Sequence, residues 1–274
     1  MSAADRSGGD PAPELRFFGE VVRKLRVAKA WSQAQLGEAV GYSESQVGMV
    51  ERAERIASAE FVRQADKALV AKGVILAGLP MLEAARYPAF FAKFALLEAG
   101  VISMYKYESL VVPGILQTEE YARAIFGARC PPLDDDEIER RVQGRLDRQR
   151  LLTRKPAPIL GFVIEEWVLR RPIGGKAVRH EQLSRLLEAS RMRNVTIQIM
   201  PLDREEHAGF DGPMTLIETK DRKSLAYVEG QGRSQLMSDP ETVSILTQRY
   251  GILRAQALPT GESARLIEQL LGDS

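Results

Sequence analysis

Four side chains between positions 44 and 49 set the chemistry of this chain. Glu44 offers a carboxylate, Ser45 a hydroxyl, Gln46 a carboxamide and Met49 an apolar thioether. A carboxamide can bond an adenine edge at two points, and a carboxylate accepts from the cytosine amino group. A hydroxyl serves either partner, and a thioether can pack on a thymine methyl. This set suits recognition better than bond-making. Catalysis needs converging acid–base groups, yet the chain holds only two histidines, His180 and His207, with no metal-ligand spacing around them. Glu165 and Glu166 are adjacent, so they diverge on any regular element. Gly174-Gly175 lacks the Lys-Ser/Thr continuation of a phosphate-binding loop and reads as a turn. No catalytic residue, metal site or cofactor is expected.

Two short helices must carry the recognition residues. Ser32 with Gln35 and Ser43 with Gln46 both fit the Ser-x-x-Gln capping box, in which the serine oxygen takes an orphan helix amide and the glutamine reaches back. Gly41 stands where the first helix must stop in a left-handed residue. Such a helix–tight turn–helix unit commonly lays its second helix in the DNA major groove. A helix before it, over about 17–30, brings Phe18, Val21, Leu25 and Ala28 to helical spacing. Another over about 59–69 turns Phe61, Ala65 and Leu69 inward.

Over roughly residues 15–70 the pattern resembles the phage-repressor-like helix-turn-helix of xenobiotic-response-element (XRE) regulators. The resemblance implies an all-α domain in which Arg26 pairs with Glu51 and Gln33 holds the phosphate backbone. It also implies that Glu44, Ser45, Gln46 and Met49 face base edges. Ser43, Arg52 and Arg55 flank them as further DNA contacts. The expected partner is double-stranded DNA with a palindromic operator, read by a homodimer whose half-sites lie about 34–36 Å apart. Ala30 and Ala53 stand where relatives carry helix-ending glycines, and Ala57 where a proline is common. A left-handed alanine costs about 1–2 kcal/mol, so the local path is expected to differ there. Gly37 replaces a small alanine; it keeps the space and weakens the helix by about 1 kcal/mol.

Residues from about 80 to 272 resemble the C-terminal domain of actinobacterial antitoxin-like regulators of the WhiJ type. The landmarks run in order along the chain. They include Val112-Pro113-Gly114-Ile115-Leu116-Gln117-Thr118, Tyr121-Ala122-Arg123-Ala124, Arg145-Leu146-Asp147-Arg148-Gln149 and His207-Ala208-Gly209. This resemblance implies a transcription regulator often encoded beside a small partner protein. Tyr105 and Tyr107 on an alternating segment, with His207 and Phe210 in a Gly-containing loop, are the candidate contacts for a partner or effector. A small-molecule-sensing repressor is the alternative, and an enzyme with an appended DNA-binding head the remote third.

Composition agrees with a soluble two-domain chain. Of 274 residues 45% are hydrophobic, enough for two cores. Lys+Arg 38 against Asp+Glu 37 leaves a net charge of +1, so affinity for nucleic acid must come from where particular cations point. One cysteine, Cys130, rules out an intrachain disulfide. No apolar run approaches the roughly 20 residues that span a bilayer, and cytoplasm is the expected compartment. The expected organisation is multidomain: a disordered tail over 1–14, the helix-turn-helix domain over 15–79, and an α+β regulatory domain over 80–274. Gly73, Gly78 and Pro80 mark that boundary. Phe90, Phe91, Phe94 and Leu97 beyond it follow a helical, apolar pattern that suits either core or a dimer face. Strands are expected over 102–108, 159–164, 195–199, 214–219 and 225–229, with helices over 178–192, 240–257 and 262–271. The arginines at 140, 141, 145, 148 and 150 are expected on a solvated helix face with ion pairs, a phosphate-binding stripe being the alternative.

Overall fold

A computed structural model describes residues 13–85, 87, 89–231 and 233–272. The expected N-terminal tail lies outside the described residues up to Pro13. The chain forms two compact units, one ending at Leu96 and the other beginning at Leu97.

The first unit is all helical: α1 Pro13–Ala28, α2 Gln33–Val40, α3 Glu44–Glu51, α4 Ala59–Ala68, α5 Leu79–Ala85 and α6 Ala89–Glu98, whose last two residues, Leu97 and Glu98, belong to the second unit. Three serines start three of these helices. Ser32 and Ser43 close full capping boxes, and the Ser58 hydroxyl accepts from the Phe61 amide at 3.0 Å. Gly41 ends α2 with φ +75°, a conformation that glycine adopts without steric cost. The core gathers Phe18, Val22, Leu36, Val47, Val50, Phe61, Val62 and Ile75.

Four expectations need correction here. The inner face of α1 runs through Leu15, Phe18, Val22 and Arg26, while Ala28 is exposed and Val21 half-buried. Ala30 and Ala53 keep the left-handed path, at φ +55° and +62°; the chain bears the strain instead of changing course. Gly37 is tighter than an alanine site, since a Cβ there would lie 2.4 Å from the Tyr42 carbonyl oxygen. The first unit also runs past Pro80, because Leu79, Met81, Leu82 and Ala85 pack on the same core. In α6, Phe91 and Phe94 are buried; the Phe90 side chain lies outside the described residues.

The second unit is built on one mixed sheet. Its strands are β1 Ser103–Glu108, β2 Ile159–Glu165, β3 Val195–Met200, β4 Met214–Glu218, β5 Ser224–Glu229 and β6 Ser234–Met237, in the order β3-β2-β1-β4-β5-β6. Long helical crossovers join β1, β2 and β3, which are parallel; short turns join β4, β5 and β6, which are antiparallel. The helices are α7 Glu119–Gly127, α8 Asp135–Arg148, α9 Arg150–Thr153, α10 Glu166–Arg170, α11 Lys176–Ser190, α12 Pro240–Gln256 and α13 Thr260–Gly272. Val243, Tyr250 and Leu253 of α12 pack on Tyr107, Val163, Met200, Met214, Leu216 and Ala226.

The segment 112–118 ties α7, α8 and α11 together. Gln117 donates to the Val112 carbonyl at 2.6 Å and accepts from Arg145 at 2.6 Å. Gln182 of α11 donates to the Leu116 carbonyl at 2.9 Å and accepts from the Thr118 amide at 2.8 Å. The basic stripe is only in part a solvated, ion-paired face: Arg140 pairs with Glu137 and Arg150 of α9 with Asp147 at the surface, but the others turn inward. Arg145 is turned inward over the Phe126 ring, Arg148 makes a bidentate pair with Glu98 at 2.5 and 2.9 Å, and Arg141 pairs with Glu137. Burial holds the Arg145 guanidinium below its ordinary pKa.

Candidate nucleic-acid interface

The site begins with what fixes α3. Arg26 reaches from α1 to the last residue of α3, donating to both Glu51 oxygens at 2.6 and 2.8 Å, with both side chains buried. Its third arm donates to the Trp31 carbonyl at 2.7 Å, which fixes the linker before α2. The hydrogen bond to Glu51 holds the Arg26 pKa above its ordinary value, outweighing the burial that opposes it. Gln33, the first residue of α2, donates to Glu51 at 2.7 Å. The three helices thus share one buried carboxylate, and α3 has little freedom to roll.

Past that anchor, α3 presents its outer side. Ser43, Glu44, Ser45 and Met49 are exposed, while Val47, Gly48 and Val50 face inward. Gln46 is half-buried, and its side-chain oxygen accepts from the Ser43 amide at 3.0 Å. A carbonyl oxygen has a second lone pair, and the amide carries two further hydrogens. Arg52 and Arg55 follow the helix and are exposed. Glu54 grips Arg52 with two bonds of 2.8 Å, raising the arginine pKa and lowering its own through that contact. The arrangement puts a hydroxyl, a carboxylate, a carboxamide and a thioether on one short helix face with cations at its end. Gln33 stands apart from them in part, since one of its amide hydrogens is committed to Glu51.

In the second unit the structure divides the candidate contacts. Tyr107 is buried and donates to Glu165 at 2.6 Å, so it cannot anchor an exposed interface. Burial and the Glu165 carboxylate hold its hydroxyl above its ordinary pKa. His207 approaches the same Glu165 oxygen at 3.6 Å and stacks on Phe210 at 4.5 Å between ring centroids. A Cβ on Gly209 would sit 2.2 Å from the Tyr107 hydroxyl, so the loop closes on that tyrosine only as glycine. Phe210 is 74% exposed, the most open large apolar side chain among the described residues. Tyr105 is half-buried against Tyr250. Spacing placed the two tyrosines on one side of β1, but alternation does not reveal which side faces α12. Glu166 turns away from Glu165, accepting from Arg170 and from the Leu202 amide.

A helix-turn-helix domain model matches residues 18–76, and a domain of unknown function, DUF5753, matches residues 91–269. No curated protein and no solved structure matches the chain. A helix-turn-helix domain in front of a larger domain is the organisation of a DNA-binding regulator. No helix among the described residues is long and apolar enough to cross a membrane.

Proposed function

This chain belongs to the DUF5753 family, and we propose that it is a sequence-specific, XRE-type transcriptional regulator that reads a palindromic operator as a homodimer. The observation that carries this reading is the single-carboxylate clamp of Arg26, Gln33 and Glu51, which leaves the polar outer face of α3 presented. Glu44 accepts from a cytosine amino group, Gln46 bonds adenine through its remaining lone pair and amide hydrogens, and Met49 packs on a thymine methyl. Gln33 keeps one amide hydrogen for a phosphate. Ser43, Arg52 and Arg55 fix register on the backbone without reading sequence.

Selection of bound sequences from random duplexes tests this. Glu44→Ala and Gln46→Ala should each change the preferred base at one position, by about 1–3 kcal/mol of discrimination. Arg55→Ala should weaken binding evenly and lower the salt dependence by about one phosphate contact. An unchanged motif in both α3 variants would move the reading face elsewhere.

The second unit supplies the input. Its antitoxin-like resemblance favours a small protein partner, with the exposed Phe210 as an anchor. Partner and operator must then change each other's affinity by the same factor, which titration with and without DNA measures. One observation favours a small-molecule sensor instead: a groove of about 510 Å³ beside α12, lined by Leu225, Ser238, Pro240, Val243 and Thr247.

A further inference from the structure

The loop that follows α4 carries features that DNA reading by α3 leaves unused. Val70 is 65% exposed, Val74 is 58% exposed, and Leu76 beside them is open as well. Val70 and Lys72 hold left-handed backbones, φ +53° and +51°. A β-branched residue almost never does so, and such strain persists only where the surroundings impose it. Here they do. Asp66 is buried and accepts from the amides of Gly73, Ile75 and Leu76 at 2.9, 3.0 and 3.3 Å, drawing the loop into a ring around its carboxylate. Val74 closes a turn on the Ala71 carbonyl at 3.0 Å. The valines are thus held out on a fixed frame.

Cations flank them along the chain. Lys67 in the last turn of α4 and Lys72 in the loop are exposed, and Lys29, just past α1, donates to the Ala68 carbonyl at 2.5 Å. Between Phe61 and Leu82 the sole acid is Asp66, and it is turned inward. An exposed apolar pair flanked along the chain by lysines calls for an apolar and acidic counterpart. The same patch of a second copy does not meet that need, because an isologous contact would bring two lysine-bearing patches together with no acid between them. DNA meets the charge but gains nothing from two projecting valines.

We propose that this loop, with Lys29, is a docking surface for an acidic, apolar segment of a partner protein. The surface stands independently of which helix reads DNA. Backbone-amide NMR of the labelled full chain, titrated with a synthetic peptide alternating Glu with Leu, tests it. Shifts should concentrate at Lys67–Leu76 and be absent with a Lys-Leu peptide. Val70→Asp should weaken binding by about tenfold or more, with a denaturation midpoint that does not fall, because Val70 is exposed and aspartate takes a left-handed backbone more readily than valine. Lys72→Glu should weaken it as well and leave affinity for duplex DNA unchanged. Absent shifts, shifts mapping elsewhere, or full binding by Val70→Asp would overturn the proposal. Loss of DNA affinity in Lys72→Glu would assign the surface to DNA instead.

Discussion

At the scale of single residues, Glu51 matters most. Two helices other than its own bind its carboxylate, and neither bond reaches bulk water easily. Arg26→Ala strands that charge with one carboxamide for company, so the first unit should lose about 3–5 kcal/mol. Arg26→Lys retains the charge but not the two-point geometry, and should fall between. Urea unfolding followed by helical signal distinguishes the three proteins. Ala30 makes the opposite case. It is exposed and left-handed, so Ala30→Gly relieves about 1–2 kcal/mol of backbone strain. Glycine returns about 0.5–1 kcal/mol of that through the freer unfolded chain. A rise in the midpoint equivalent to about 0.5–1 kcal/mol is expected, and a fall would mean that the alanine methyl makes a contact worth more than the strain.

At the scale of elements, two glycines in adjacent helices separate packing from propensity. A Cβ at Gly37 meets the Tyr42 carbonyl at 2.4 Å, whereas one at Gly48 meets mainly the far end of Arg52 at 2.9 Å. Backbone cannot step aside; an arginine tip can. Gly37→Ala should therefore cost about 1–3 kcal/mol as α2 and α3 are pushed apart. Gly48→Ala should be neutral or gain up to about 1 kcal/mol of helix propensity. Thermal melts of both variants give the comparison. Spacing alone showed the caps, the turn at Gly41 and five of the strands, because serines, glycine and alternating valines and isoleucines act locally. It missed β6, whose Ser-Gln-Leu-Met stretch is too short to show a period. It also missed the inward turn of Arg145 and Arg148, since their partners Gln117 and Glu98 lie 28 and 50 residues away. In the recognition helix, residue types suggested what each side chain could bond. The third claim on Glu51, from Gln33, appears only when three helices meet.

At the scale of the whole molecule, each unit owns its core. The first draws on α5, where Leu82 is 1% exposed. A fragment ending at Leu96 should unfold cooperatively, while one ending at Leu79 forfeits about 1.5–3 kcal/mol for Leu82 alone. Equal denaturation midpoints would show α5 to be dispensable. The second unit has a different dependence. Gln182 seals the turn at Leu116 and Thr118 across more than sixty residues, so that seal waits on synthesis. At about 5–20 residues per second, the stretch from Leu96 to Gln182 takes roughly 4–17 s to emerge. For that interval the nascent chain carries a finished helix-turn-helix unit beside a second unit whose seal is still missing.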